Sequence, residues 1–282
     1  MKVLVIGGTR YFGKRLVHLL IEKNYEVTVL TRGSLPEDLS GKVKKLTANR
    51  SSEKELGEVT YGQKFDVIID QVCMDAKDAL GVVNTLKDKT SHYIMTSTLA
   101  VYDLGGDLRE EKFSPLRDPV FSSNLYSQNK REAEKIIAQN QMHASFLRIP
   151  IVLGQDDYTE RLENTVKGIQ NGTPQSFPNI NAKFAFISSS DAAKALLWLS
   201  ETRYPGAYNF SSEAIPLHEL IKLIEDETKT KCIITNEGTH PFGIETDWYM
   251  NVEKVNKLGF SCSPLLDWLK PLIQFYVKKK AL

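Results

Sequence analysis

Residues 1–13 read MKVLVIGGTRYFG, and this stretch decides the fold. Val3 to Ile6 is an unbroken apolar run, which is typical of a strand covered on both faces. Gly7 and Gly8 allow a sharp turn, and apolar residues from Lys14 onward follow at helical spacing. A strand, a glycine turn and a helix in this order predict a pyrophosphate site, because free N–H groups and the helix dipole converge there. The alternative is a turn that only connects the strand to the helix.

The first half of the chain alternates apolar runs with helical patterns, which favours an α/β fold with a doubly wound parallel sheet of the Rossmann type. The predicted strands after the first are Glu26–Leu30, Val43–Thr47, Val67–Asp70, Tyr93–Thr96 and Ala144–Ile149. The predicted helices are Lys14–Lys23, Ser52–Glu58, Ala76–Lys87 and Ser123–Gln139. Ligands of such sheets bind at the carboxyl ends of the strands, so the residues that follow each strand are the candidates for a site.

Composition narrows the functional classes. The 282 residues carry a net charge of +1, which argues against nucleic acid or a membrane surface as the main partner. Cys73, Cys232 and Cys262 are scattered without metal or redox spacing, so we expect no metal and reduced thiols in a cytoplasmic protein. No apolar run is long enough to span a bilayer, and the N-terminal run is a strand rather than a targeting signal.

The cofactor candidates lie in the turn and after the next strands. In the turn they are Gly7, Thr9, Arg10, Tyr11, Phe12 and Gly13. After the second strand, Thr31 stands where an NAD site usually has a carboxylate, and Arg32 follows. Arg32, helped by Arg10, could pair with a 2′-phosphate, so the sequence favours NADP over NAD; the alternative is that both arginines face solvent.

Two further strand ends add candidates. Asn49 follows the third strand and either contacts the adenine edge or forms a turn. Gln71 and Val72 follow the fourth strand on the route from pyrophosphate to nicotinamide. Cys73 comes next, and we expect it to pack rather than to act as a nucleophile, since no base lies nearby in the sequence.

The fifth strand is followed by hydroxyl side chains in the run Thr96-Ser97-Thr98, which points to a polar ligand. After a loop-like segment, Asp103–Asn124, a helix starts with Tyr126 and Lys130, four residues apart on one face. A tyrosine beside an ammonium group is a usable acid or base for alcohol–ketone chemistry. In isolation this pair is usually a surface coincidence; the glycine turn and the hydroxyl cluster favour a site.

With these motifs the chain resembles the short-chain dehydrogenase/reductase superfamily, in its extended or atypical branch, the NAD-dependent epimerase/dehydratase family. The matching segments occur in order over most of the chain and are GGTRYFG, FDVIID, TSTLAVY, YSQNK, LRIPIVLG and FISSSDAAKAL. The resemblance implies that Thr98 orients the substrate, that Tyr126 is the acid/base, and that Lys130 binds the nicotinamide ribose. It also places Arg148, Pro150 and Val152 beside the nicotinamide, with Pro150 a cofactor contact, and gives Asp191 a structural role.

The resemblance implies a small-molecule reaction at a hydroxyl or keto group, often of a nucleotide sugar: oxidoreduction, epimerisation or dehydration. Two departures stand out, Arg10 in place of the family's middle glycine and the missing acid after the second strand. The form GGTR followed by two aromatic residues is similar to the atypical branch, in which some relatives are described as RNA-binding. The alternatives are therefore a non-catalytic dinucleotide sensor or scaffold, and an RNA-binding protein.

Beyond Gly154 the alternation stops, which predicts a smaller C-terminal α/β lobe for the substrate. We expect residues 1–155 plus about 183–210 to form the dinucleotide-binding domain, and about 156–182 and 211–282 the lobe. The predicted elements there are Tyr158–Gln170, Phe184–Ile187, Ser190–Leu199, Pro216–Glu227, Cys232–Thr235 and Pro264–Val277. Its polar candidates are Arg161, Asn181, His240, Asp247, Trp248 and Tyr249, none with a spacing that names a ligand. A homodimer through Ala76–Lys87 and Ser123–Gln139 is modestly favoured.

Overall fold

The computed structural model describes residues 1–279. Its strands are β1 (Lys2–Ile6), β2 (Glu26–Thr31), β3 (Lys44–Thr47), β4 (Phe65–Asp70), β5 (Thr90–Thr98), β6 (Gly105–Leu108), β7 (Ala144–Ile149), β8 (Ile151–Leu153), β9 (Gln175–Ser176), β10 (Lys183–Phe184), β11 (Phe186–Ser188), β12 (Gly206–Asn209), β13 (Ile215–Pro216), β14 (Ile234–Thr235) and β15 (Trp248–Met250). Its helices are α1 (Tyr11–Glu22), α2 (Glu53–Val59), α3 (Ala76–Leu86), α4 (Leu125–Gln139), α5 (Arg161–Gln170), α6 (Ser189–Thr202), α7 (Leu217–Thr228), α8 (Glu253–Lys257) and α9 (Leu265–Lys278).

Seven strands form one parallel sheet in the order β12-β7-β5-β4-β1-β2-β3. The predicted doubly wound Rossmann-type sheet is thus confirmed. The chain order reverses between β1 and β4, so a crevice opens at the carboxyl ends of these two strands. This crevice is where the glycine turn, the end of β4 and the end of β5 meet.

The apolar run of β1 is explained by the two helix layers that cover the sheet. Val3 and Val5 pack on one face, in a cluster with residues of α1 and α6. Leu4 and Ile6 pack on the other face, in a cluster with residues of α2, α3 and α4. Because side chains alternate along a strand, a strand covered on both faces must be apolar at every position.

A third cluster lies outside this sheet, where α5, α7 and α9 surround Phe177, Phe184 and Phe186. Near it, β10 pairs with β13 and β15 in a four-stranded sheet, while α6 packs on α1 and β12 joins the main sheet. The chain therefore leaves the main sheet after β7 and returns to it with α6 and β12. The domain boundaries given above remain a prediction.

The structure differs from the sequence-based elements in several places. The loop-like segment Asp103–Asn124 contains β6, whose pairing partner is β15, far along the chain. Such a partner supplies backbone hydrogen bonds that no local pattern reveals. The edge strand β12 has no counterpart among the predicted strands, and only Ile234–Thr235 of the segment Cys232–Thr235 is a strand. Helix α5 begins at Arg161, three residues later than expected, after Glu160 in a left-handed conformation.

Among residues 1–279, no helix has both the length and the apolar character needed to cross a bilayer.

Candidate active site

The glycine turn leaves its backbone donors free. Gly7 has φ +94° and Gly8 φ +77°, which only glycine adopts at low cost. The Gly7 N–H donates to the Leu30 carbonyl at 3.0 Å, and the next bound N–H is that of Lys14, which donates to the Arg10 carbonyl at 3.1 Å. Within the described residues, no oxygen accepts from the N–H groups of residues 8–13. Free donors at the start of a helix suit a pyrophosphate.

Gln71 closes one side of the turn. A Cβ built on Gly13 would lie 2.3 Å from the Gln71 Oε1 atom, so the side-chain amide fills the space that glycine leaves. The Gln71 Nε2 atom is buried and has no hydrogen-bond partner in the described part of the chain. An orphaned donor beside free N–H groups is a further feature that fits the phosphates of a dinucleotide.

The other residues of the turn divide into exposed and buried ones. Arg10 is exposed, as is Arg32 after β2, and neither forms an ion pair with any of residues 1–279. Tyr11 is buried with φ +52°, and its ring lies edge-on to Tyr158, 6.0 Å between ring centres. Burial, together with the charge of Asp157, raises the pKa of the Tyr11 hydroxyl, which therefore stays neutral. Tyr11 thus packs against the segment after β8, whereas the arginines are free to meet a ligand.

The remaining cofactor candidates lie on separate strand ends. The Asn49 Oδ1 atom accepts from the Ser51 N–H at 3.2 Å, so the turn-forming role is the one that the structure displays. Thr9 and Phe12 are half-buried in the turn, Val72 is partly exposed after β4, and Pro150 is buried directly after β7.

Arg50 is a buried residue that the sequence did not single out. Its guanidinium pairs with the Asp70 carboxylate, and one nitrogen donates to the Asp78 carbonyl at 2.7 Å. The same Asp70 carboxylate accepts from the Tyr93 hydroxyl at 3.0 Å and from the Val72 N–H at 3.0 Å. These bonds fix the end of β4 and the residues that follow it, where Gln71 and Val72 are found.

Tyr126 and Lys130 come together as predicted on the first turns of α4. The helix begins after Asn124, whose side chain accepts from the Ser127 N–H at 3.1 Å as an N-cap. The Lys130 Nζ atom donates to the Cys73 carbonyl at 2.8 Å and to the Thr96 carbonyl at 3.0 Å. It also lies 6.0 Å from the centre of the Tyr126 ring, which is 44% exposed.

Lys130 therefore joins the carboxyl ends of β4 and β5, where Thr98 is the last residue of β5. The Thr98 Oγ1 atom accepts from the Ala100 N–H at 3.1 Å, which leaves its own proton free for a ligand. Burial raises the pKa of Cys73 to about 12, so its thiol is protonated at neutral pH and packs, in line with the expectation.

A buried polar network, which the sequence did not predict, lies behind Thr98. The Glu134 carboxylate accepts from the Ser97 hydroxyl at 2.5 Å and forms an ion pair with Arg148 at 2.6 Å. Arg148, expected beside the nicotinamide, is fully buried in this ion pair. Spacing in the sequence could have identified Glu134, because it follows Lys130 by four residues, as Lys130 follows Tyr126, and so lies on the same helix face.

Three polar candidates of the predicted lobe, Arg161, Asp247 and His240, have structural partners. An Arg161 nitrogen donates to the Thr159 hydroxyl at 3.1 Å, and Asp247 accepts from the Lys183 N–H at 2.8 Å. Burial lowers the pKa of His240 to about 4, and its Nδ1 atom accepts from the Phe242 N–H. Asn181 is exposed, and Trp248 and Tyr249 are half-buried in and beside the four-stranded sheet. Asp191, in the first turn of α6, has the structural role that was expected: its N–H donates to the Ser188 hydroxyl at 2.9 Å, and its carboxylate accepts from the Ser263 N–H at 3.0 Å.

Three comparisons with known proteins bear on this geometry. Residues 3–210 match the model of the NAD dependent epimerase/dehydratase family. A curated relative is the chloroplast stem-loop binding protein of 41 kDa b from Arabidopsis thaliana, 23% identical over 210 residues. That match covers 70% of this chain and 54% of the relative, so the chain spans about half of the relative's length.

Solved structures match over nearly the whole chain at low identity, which shows the fold alone. dTDP-glucose 4,6-dehydratase from Bacillus anthracis, in complex with NAD, has a TM-score of 0.79 at 16% identity, with 99% of this chain and 97% of that chain covered. UDP-glucose 4-epimerase from Thermotoga maritima, with UDP-glucose, has a TM-score of 0.77 at 16% identity, with 99% and 98% covered. The family model spans more than two thirds of the sequence, and the chain belongs to the NAD-dependent epimerase/dehydratase family.

Proposed function

We propose that the protein is an NAD(P)-dependent epimerase, dehydratase or reductase that acts at a hydroxyl or keto group of a small molecule. One observation carries the proposal. The Lys130 ammonium joins the carbonyls at the ends of β4 and β5 and faces the exposed Tyr126, at the same strand-end edge as the open glycine turn. A dinucleotide site and an acid/base pair thus share one crevice.

The free N–H groups of the turn and the Gln71 amide would hold the pyrophosphate, and Lys130 would hold the nicotinamide ribose. Two backbone carbonyls accept from the Lys130 Nζ atom, which leaves its third proton for a ribose oxygen. When bound, the dinucleotide supplies a nicotinamide ring that takes up or gives a hydride. Glycine at positions 7 and 8 lets the backbone reach the phosphates.

In this proposal Tyr126 moves the proton. Tyr126 is 44% exposed, and the Lys130 Nζ atom lies 6.0 Å from the centre of its ring, so a substrate can reach the phenol beside the ammonium group. The Thr98 hydroxyl, with its proton free, would donate to the substrate oxygen and hold it in line with Tyr126. When the substrate is oxidised, Tyr126 accepts the proton of its hydroxyl group. When the substrate is reduced, Tyr126 donates that proton to its carbonyl oxygen.

We propose a nucleotide sugar as the substrate class. The support is the fold shared with a dTDP-glucose 4,6-dehydratase and a UDP-glucose 4-epimerase. A panel of nucleotide sugars, followed by nicotinamide absorbance and by product analysis, would test it and separate epimerisation from dehydration and reduction. No turnover with any member of the panel would contradict the substrate class.

The proposed acid/base role is tested by Tyr126→Phe, with Tyr61→Phe as control because Tyr61 is an exposed tyrosine in the turn between α2 and the amino end of β4. Loss of the acid/base should lower kcat by about 100-fold or more, while dinucleotide affinity stays within about twofold. A Tyr126→Phe protein with unchanged kcat would remove Tyr126 from the mechanism.

For the cofactor we propose a preference for NADP over NAD. Arg10 and Arg32 are exposed and unpaired within residues 1–279, and Asp38, a nearby acid after β2, is paired with Lys14 at 2.9 Å. Titration calorimetry with both dinucleotides should give tighter NADP binding, and Arg32→Gln should remove most of the difference, about tenfold. Clearly tighter NAD binding would overturn the preference.

We also propose two features of organisation. One is the division into residues 1–155 plus about 183–210 and a lobe of about 156–182 and 211–282, which the separate cluster around Phe184 supports. The other is a homodimer through α3 and α4, which pack side by side and leave Leu80 of α3 exposed. Sedimentation velocity of the protein and of Leu80→Glu tests the dimer; a monomeric parent protein would contradict it.

A second candidate is RNA binding, which the name of the Arabidopsis relative supports. The net charge of +1 weighs against it. Binding to a stem-loop RNA that weakens steeply with salt would favour this candidate. Dinucleotide binding without turnover would instead favour a sensor or scaffold.

A further inference from the structure

One face of α4 carries three functional groups at consecutive turns. Tyr126, Lys130 and Glu134 are spaced four residues apart, so their side chains leave the helix on the same side. Tyr126 is exposed, whereas Lys130 is 3% exposed and Glu134 is fully buried. The face therefore runs from solvent into the core within three turns.

The two buried groups hold neighbouring residues of β5. Lys130 donates to the Thr96 carbonyl, and Glu134 accepts from the Ser97 hydroxyl. The next residue is Thr98, proposed above to hold the substrate oxygen. The helix face that carries Tyr126 is thus tied, over two consecutive residues, to the strand end that carries Thr98.

Arg148 fixes Glu134 in turn. Its Nε and one terminal nitrogen donate to the two Glu134 oxygens, at 3.1 and 2.6 Å. Its remaining donors go to the Tyr102 hydroxyl at 2.9 Å and to the Glu110 and Phe113 carbonyls at 3.0 and 3.1 Å. All five guanidinium N–H groups are used, so neither side chain has freedom to turn.

The network also reaches other parts of the chain. The Tyr102 hydroxyl donates to Asn209 of β12 at 2.7 Å, and the Asn209 amide donates to the Leu108 and Asn251 carbonyls. The anchor of α4 is therefore shared by the main sheet, the segment after β5 and the residues beside β15.

We propose that Glu134 is a positioning residue, which acts through its hydrogen bond with Ser97 to set the neighbouring Thr98 against Tyr126. This inference rests on the proposed function of Tyr126 and Thr98. The Glu134 side chain touches no reacting atom, since it is fully buried behind β5. Its contribution is geometric, and a shift of about 1 Å between reacting groups can cost on the order of 100-fold in rate.

The first test is Ser97→Ala, which removes one hydroxyl from the network and leaves the ion pair intact. The matched control is Ser145→Ala, because Ser145 is an equally buried hydroxyl on β7, bonded to the Tyr204 carbonyl at 2.6 Å near the opposite end of the sheet. We expect Ser97→Ala to lower kcat by about tenfold with KM unchanged, and Ser145→Ala to change neither.

A second variant, Glu134→Asp, keeps the charge that Arg148 needs but withdraws the carboxylate by one methylene. It should lower kcat at least as much as Ser97→Ala does, again without a change of KM. Hydrogen exchange gives a readout that needs no turnover: amides of α4 should exchange about tenfold faster in both variants, while those of α3 should not change.

The outcomes separate the two proposals. If the wild-type protein turns over no substrate, the proposed function fails and the positioning role fails with it; faster α4 exchange in the variants then shows only that Glu134 anchors α4. If the wild-type protein is active, while Ser97→Ala and Glu134→Asp keep kcat within twofold and leave α4 exchange unchanged, the positioning role is overturned. A loss of kcat that Ser145→Ala reproduces would also overturn it.

Discussion

The strands β5 and β7 carry a buried polar network at each end, and the two networks differ in charge. At the carboxyl end, Ser97 and Arg148 are register partners; the Ser97 hydroxyl donates to Glu134, and Arg148 forms a buried ion pair with it. At the amino end, the His92 Nδ1 atom lies 2.8 Å from the His143 Nδ1 atom, and the His92 Nε2 atom lies 2.8 Å from the Ser145 hydroxyl. Burial and the neighbouring His143 lower the pKa of His92 to about 4, so this ring is neutral at pH 7.

The two ends of these strands bury different kinds of group, a charged pair at the carboxyl end and a neutral imidazole at the amino end. A neutral network joins two strands at modest cost, because no charge leaves water. A buried ion pair is often no more stabilising than apolar packing, so its presence beside the proposed site favours a role in fixing geometry. Variants that disturb one end of the strands should therefore differ in effect from variants that disturb the other.

The largest expected effect comes from breaking the charged end. Arg148→Leu leaves the fully buried Glu134 carboxylate without its partner, which should lower the free energy of unfolding by about 3–5 kcal/mol. Urea denaturation measures the loss. The control is Arg109→Leu, which breaks an exposed ion pair with Glu253 and should give an unchanged midpoint. Equal losses in both variants would contradict the distinction.

The glycine turn at the carboxyl end should come next. At Gly8 a Cβ would lie 2.7 Å from the Val5 Cγ1 atom, and φ is +77°. Gly8→Ala should therefore cost both backbone strain and overpacking, about 2–4 kcal/mol in total. Gly41 has φ +75° with open space around it, so Gly41→Ala isolates the backbone part, about 1 kcal/mol. Thermal unfolding of both variants should reproduce this order, and the reverse order would show that the turn is not tightly packed.

The neutral end should respond to pH. The pKa of His92 in the folded protein lies below its value of about 6.5 in the unfolded chain, so the unfolded state binds the proton first. The stabilisation is complete above pH 6.5 and is lost as pH falls toward 4. Urea midpoints measured between pH 7 and 4 should fall in the wild-type protein and fall less in His92→Asn. Parallel curves would contradict a role of His92.

The smallest effect is expected at the start of α4, the helix that carries the proposed acid/base Tyr126. Asn124→Ala removes the N-cap of α4 and should cost about 1 kcal/mol. Ser52→Ala removes the equivalent cap of α2, where Ser52 accepts from the Glu55 N–H, and serves as the control. Both should lower the unfolding midpoint alike, whereas only Asn124→Ala should lower kcat, since only α4 carries Tyr126.

Local pattern was sufficient for six of the seven strands of the main sheet, all except β12, and for the helix face that Tyr126 and Lys130 share. The apolar run of β1 and the glycines after it predicted a strand, a turn and a helix, and the structure has them. Tyr126 and Lys130 were predicted to share a helix face, and spacing alone fixes that. The roles of these residues in binding and catalysis remain predictions.

Only the tertiary structure revealed what lies behind that face. Glu134, Arg148 and Asn209 are far apart in the chain, and a charged residue in a sequence reads as a surface residue unless its partner is known. Likewise β6 becomes a strand only because Trp248–Met250 lies beside it. The sequence by itself determined the periodicity of each element and the chemistry of the strand ends. Which charges are buried and which donors stay free was decided by contacts between distant residues, because burial depends on the whole packed fold.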